Sequence, residues 1–127
     1  MQDPLRNFKA EFFKALSHPV RIKILDLLRT GELSVTELQD RLGIESSGVS
    51  QHLSVLRHQS IVDSRKAGTT AYYRVRDPEV FELLDIARRI FNNQLLNTRS
   101  TLEQLEEEKT QNDFDLDKKR AALASMS

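Results

Sequence analysis

Ser47, Gln51, Ser54 and His58 recur at spacings that put them on one side of a helix, with Ser50 on its flank. Opposite them, Val49, Leu53 and Leu56 form a narrow apolar stripe. The chemistry on offer is hydrogen bonding rather than catalysis. A solvated helix face is usually built from Glu and Lys, which favour helix, whereas serine costs helix propensity. Its repeated use therefore points to a face that must fit closely against something. A nucleic-acid major groove suits it: a serine hydroxyl donates to or accepts from any base edge or phosphate, and a glutamine amide can pair with both hydrogen-bonding atoms of adenine. The alternative is a serine-rich helix that faces only water.

Such a helix needs a support, and the preceding residues supply one. Ser34 with Glu37 three positions later is a capping-box signature. Val35, Leu38 and Leu42 give the helix they open a half-buried face, and Gly43 ends it. Ile44 and Glu45 form a corner, and Ser46 or Ser47 is the expected cap of the polar-faced helix, which runs to about Gln59. After it the period of apolar residues falls to two. Ile61 to Arg76 reads as a β-hairpin turning near Ala67-Gly68, with Arg65 and Lys66 on one side of its tip and Thr69 and Thr70 on the other. Cations and hydroxyls on a protruding tip suit phosphate.

The 127 residues are enough for one domain of ordinary size, and 39% of them are hydrophobic. Lys and Arg balance Asp and Glu overall, 19 against 19, but not along the chain. Through Arg76 there are 12 basic and 8 acidic residues, and after it 7 and 11, so the front of the chain is the half suited to a polyanion. The absence of cysteine excludes disulfides and thiolate metal sites. No apolar run approaches the roughly 18 residues of a membrane span, and no signal-peptide stretch opens the chain. The expected location is the cytoplasm, with no membrane partner.

Residues 5–16 form an amphipathic helix with Leu5, Phe8, Phe12 and Leu16 in line. With Phe13 widening the stripe, three phenylalanines are more than so short a helix usually needs for itself; Phe8 and Phe12 are expected at a dimer seam, the alternative being that they are core. Ser17-His18-Pro19 breaks this helix and starts a mostly apolar one over 20–29. Asp77-Pro78 opens the last helix, read over 79–108 and roughly 45 Å long. Leu84, Phe91, Leu95, Leu102 and Leu105, with Thr98 between them, fit a heptad seam that calls for the same helix of a second subunit. Residues 109–127 are polar and read as a flexible tail, so the domain is placed at 1–108 with dimerisation helices at 5–16 and 79–108.

The order is helix, helix, two-helix motif, two-stranded wing, long helix, a mainly α winged helix-turn-helix. The sequence resembles the ArsR/SmtB (arsenic-repressor-type) family of bacterial transcriptional regulators. The matching stretches are Ala15 to Arg21 with Ile24, Leu25 and Leu28, Val49 to Arg57, and Ile61-Val62 with Arg65 to Gly68 and Tyr72 or Tyr73. The resemblance implies an α-α-α-α-β-β-α homodimer on a partly palindromic DNA operator, acting as a repressor. It implies base contacts from Ser47, Ser50, Gln51 and Ser54, a DNA contact from Ser46, and phosphate contacts from Arg65, Lys66, Thr69 and Thr70. His52 and Arg57 carry over with two readings each: a DNA contact, or packing for the first and an ion pair for the second. Two departures stand out. Where many members have glycine after the recognition helix, this chain has Ser60. The cysteine and histidine sets of the family's metal sensors are missing, so no metal and no cofactor is expected. An effector, if there is one, is a small molecule or a protein; a small molecule is expected between the first and last helices. The competing function is a dimeric protein-interaction module that kept the fold without binding DNA. Enzymatic activity is not expected, because no phosphate loop and no nucleophile with a base is present.

Overall fold

A computed structural model describes residues 3–126. Helix α1 (Pro4–Leu16) starts on Asp3, whose carboxylate accepts from the N–H groups of Leu5 and Arg6 at 3.1 and 3.2 Å. Helix α2 (Pro19–Leu27) starts on His18, whose ring Nδ1 accepts from the Val20 N–H at 3.1 Å, and a single 3-10 turn (Leu28–Thr30) closes it. A two-residue strand β1 (Leu33–Ser34) leads into α3 (Val35–Leu42), opened by the expected capping box: Glu37 N–H donates to Ser34 Oγ at 3.1 Å and Ser34 N–H to Glu37 Oε1 at 3.2 Å. Gly43, at φ 68°, ends α3 in the left-handed conformation.

Helix α4 spans Ser46–His58. Its cap is Glu45, not Ser46 or Ser47: Glu45 holds the extended boundary conformation and its carbonyl takes the N–H groups of Gly48 and Val49, so both serines fall inside the first turn. The helix ends in a Schellman motif. Ile61 N–H reaches Leu56 O at 2.9 Å, Ser60 N–H reaches Arg57 O at 2.9 Å, and Ser60 sits at φ +59°. A serine thus fills a left-handed position that glycine occupies at lower energy.

The wing is β2 (Val62–Ala67) against β3 (Thr70–Val75), antiparallel, with Val62 opposite Val75 and Ala67 opposite Thr70. Gly68 at φ +65° and Thr69 make the two-residue turn. The sheet has three strands rather than the two read from the sequence, because β1 pairs antiparallel with β3, Leu33 opposite Tyr73. Ile24, Leu25, Leu38, Val49, Leu53, Leu56, Ile61 and Val62 are buried to 2% exposure or less, joining α2, α3, α4 and the wing into one core. Each contributes about 1.5–3 kcal/mol by leaving water.

Helix α5 (Glu79–Met126) begins where the Asp77 carboxylate accepts from Glu79 N–H at 3.0 Å. It does not stop near Glu108. Residues 109–126 contain neither Gly nor Pro and are rich in good helix formers, so nothing local ends the helix there. The chain divides into two units, the first through Leu84 and the second from Asp85. Val80 belongs to the first unit's core, and Leu83 and Leu84 pack against it. Leu84 is therefore half-buried within its own subunit, not fully available to a seam. Among the described residues from Asp85 onward none is buried, and Phe91, Leu95, Leu102 and Leu105 are each more than half exposed. Among the described residues no helix is long and apolar enough to cross a membrane.

Candidate nucleic-acid interface

Burial of Val49, Leu53 and Leu56 fixes the rotation of α4 and turns Ser46, Ser47, Ser50, Gln51, Ser54 and Arg57 to solvent. No side chain caps this helix. The N–H groups of its first turn remain available to an anion, and the helix dipole adds attraction for phosphate. His52 is not part of the outward face. It is half-buried, its ring 4.4 Å from that of His18, and it ties α4 to the start of α2. Burial first, then the charges of His18 and Arg21, hold its pKa below the ordinary histidine value. His58 is exposed and also lines a cavity with α1 and α2.

On the wing, Lys66, Thr69 and Thr70 are exposed at the tip. Arg65 is engaged: its Nε donates to Glu32 Oε2 at 2.6 Å and its guanidinium lies 5.1 Å from the centre of the Tyr72 ring. That ion pair is more than half exposed on the arginine side. It holds the arginine in place, yet can open toward a phosphate, since such pairs contribute at most about 1 kcal/mol. Between α4 and the wing, Arg57, Ser64, Arg65 and Arg74 line a groove of about 320 Å³ together with Asp63 and Tyr72. Arg74 lies 3.9 Å from Asp63, and no ion pair forms on Arg57 among the described residues. Arg57, the wing arginines and the polar face of α4 thus belong to one surface.

Sequence reading missed Arg74 and the Glu32 tether. Arg74 was detectable: counting outward from the turn puts it on the same sheet face as Arg65 and Tyr72. Glu32 was not, because it lies 33 residues from its partner. The apolar space expected between the first and last helices exists within the first unit, as a cavity of about 390 Å³ walled by Phe8, Phe12, Ile61, Val80 and Leu83. Among the described residues no three or more His, Cys, Asp or Glu side chains come together in a way that could hold a metal ion.

A helix-turn-helix domain family matches residues 16–65. The chain is 43% identical over 104 residues to the uncharacterized HTH-type transcriptional regulator Rv0081 of Mycobacterium tuberculosis, covering 81% of this chain and 91% of that one. The crystal structure of Rv0081 superposes with a TM-score of 0.68 over 76% of this chain and 97% of that one. The biofilm growth-associated repressor of Xylella fastidiosa (strain Temecula1) is 38% identical over 88 residues, 69% of this chain and 77% of that one. A solution structure from Mycobacterium bovis, described as a homodimeric winged helix-turn-helix DNA-binding domain of a possible ArsR-family regulator, matches at 30% identity with a TM-score of 0.66, covering 74% of this chain and 91% of that one. With this fold, this exposed recognition helix and these relatives, the chain belongs to the ArsR/SmtB-type family of helix-turn-helix transcriptional regulators.

Proposed function

We propose that this DNA-binding regulator acts as a homodimeric repressor on a partly palindromic operator. The observation that carries the reading is the single surface on which the polar face of α4 and the arginines of the wing meet. In this reading α4 enters the major groove, Ser47, Ser50, Gln51 and Ser54 meet base edges, and Ser46 with the free N–H groups of the first turn meets a phosphate. Lys66, Thr69, Thr70, Arg57, Arg74 and, once released from Glu32, Arg65 bind flanking phosphates. His52 acts by packing. Phe8 and the exposed seam of Phe91, Leu95, Leu102 and Leu105 are covered by the second subunit, and their exposure in the single chain supports this, whereas Phe12 is half-buried against its own core and only its free edge is left for a partner. The site contains no nucleophile with a base, so its work is binding, in the cytoplasm where the DNA is.

Footprinting tests the arrangement. Two protected half-sites about one DNA turn apart, roughly 34 Å, are expected for a twofold dimer. A single unpaired half-site, or uniform protection of any duplex, contradicts it.

A further inference from the structure

Behind the recognition helix lies a second cavity, of about 330 Å³, between the C-terminal half of α1, the first turn of α2 and the last turns of α4. Its size is at the lower end of small-molecule sites, roughly 300–1,000 Å³. Lys14, Arg21 and His58 bring donors to it, Ala15 and Val55 give it an apolar wall, and Glu11 is the one carboxylate in its lining. Arg21 is the unusual member: its Nε is buried and has no hydrogen-bond partner. Arg21 as a whole is half-buried, but a buried donor atom left unpaired still costs free energy, and such groups are normally satisfied by protein, water or a ligand. The helix ends bordering the cavity do not compete for it. The Lys14 carbonyl already accepts from both the Ser17 N–H and the Ser17 hydroxyl, and α4 closes its own carbonyls through Ser60 and Ile61.

We infer that this cavity is a binding site for a small monocarboxylate with an apolar body, its carboxylate on Arg21 and Lys14 and its body against Ala15 and Val55. The single negative charge follows from Glu11, which repels a second one. The site is joined to the DNA-reading surface: His58 lies on α4, and Arg21 acts electrostatically on His52 of the same helix. A bound carboxylate neutralises Arg21 beside His52 and adds a bridge from α1 and α2 to α4, so occupancy changes the free energy of placing α4 in a groove. This consequence rests on the DNA-binding role; the binding itself does not.

The test uses the full chain without DNA. Benzoate is titrated by calorimetry and by following the His58 ring resonance, with benzyl alcohol as the neutral counterpart and inorganic phosphate as the polyanionic one. Saturable benzoate binding that shifts His58 is expected, with phosphate and benzyl alcohol weaker. Lys14→Gln and Arg21→Gln should each weaken benzoate about tenfold or more, the loss of one charge-assisted hydrogen bond. Lys9→Gln, on α1 outside the cavity lining, should leave it unchanged. Lys14 is exposed, so its variant keeps the test decisive even if Arg21→Gln fails to fold. Absence of saturable benzoate binding, equal binding of benzyl alcohol, tighter binding of phosphate, or an unchanged affinity in Lys14→Gln overturns the assignment. With the site established, benzoate should shift operator affinity in the wild type and not in Lys14→Gln, and an unshifted wild type overturns the coupling.

Discussion

Replacing Lys66 with alanine should flatten the salt dependence of DNA binding by an amount that the structure sets. Lys66 is exposed at the wing tip, so its charge is available to a phosphate. Each phosphate contact contributes about 0.9 to the slope of log affinity against log salt, and a dimer carries two copies, so the variant's slope should be shallower by about 1.8. Between roughly 50 and 200 mM salt, a fourfold change, the wild type should lose about 12-fold more affinity than the variant. Arg65 should behave differently, because the neighbouring Glu32 holds it. Removing Arg65 also leaves that carboxylate facing the DNA, whereas Glu32→Gln frees the arginine and should steepen the slope. Fluorescence anisotropy on operator and scrambled duplexes across a salt series gives all three values. A Lys66→Ala slope equal to wild type, or a loss confined to the operator, would refute the assignment of the wing to phosphate.

Gln51→Ala should relax discrimination by about 1–3 kcal/mol at one base pair while leaving scrambled-duplex affinity in place, and equal loss on every sequence counts against base reading. Ser60→Gly relieves a left-handed serine costing about 1–2 kcal/mol, offset by the flexibility glycine adds to the unfolded chain, so a net gain of up to about 1 kcal/mol is expected in denaturant unfolding. The folded state holds the His52 pKa below its unfolded value, so the stability this contributes is complete above the unfolded pKa of about 6.5 and is lost as pH falls through the folded value. His52→Asn should remove that part of the acid dependence, and an unaltered stability profile would disprove it. Leu95→Asp with Leu102→Asp should give monomers in sedimentation, with the fold of the first unit intact by circular dichroism; a surviving dimer sinks the seam.

Features fixed by local chemistry were legible in the sequence. The Ser34–Glu37 box and the Gly43 stop need only a few neighbouring residues, and the structure has both. Ser60 was readable as a strained position for a similar reason: the residue after a helix that ends in this way must turn left-handed whatever its side chain. Features that depend on distant partners were not. Two residues, Leu33 and Ser34, show no strand periodicity, and they pair only because β3 passes beside them. The caps of α4 and the reach of α5 were misread for opposite reasons: Glu45 took a place that composition reserves for serine, and residues 109–126 lack an apolar face but keep their helix propensity. His58 is exposed, as the arithmetic of helix angle requires, but α1 and α2 pack close enough at the end of α4 for it also to border a cavity there. Helical periodicity fixes direction; the neighbours decide what lies there.

Sequence reading by the surface that α4 and the wing form is what the proposed function requires. Its most direct test is the affinity of the purified chain for the DNA upstream of its own coding sequence against a scrambled duplex of equal length, at two salt concentrations. Specific binding is predicted to exceed non-specific binding by about 10³-fold or more, with the preference surviving at the higher salt. Equal, weak and equally salt-sensitive binding to both duplexes would contradict sequence reading at that site.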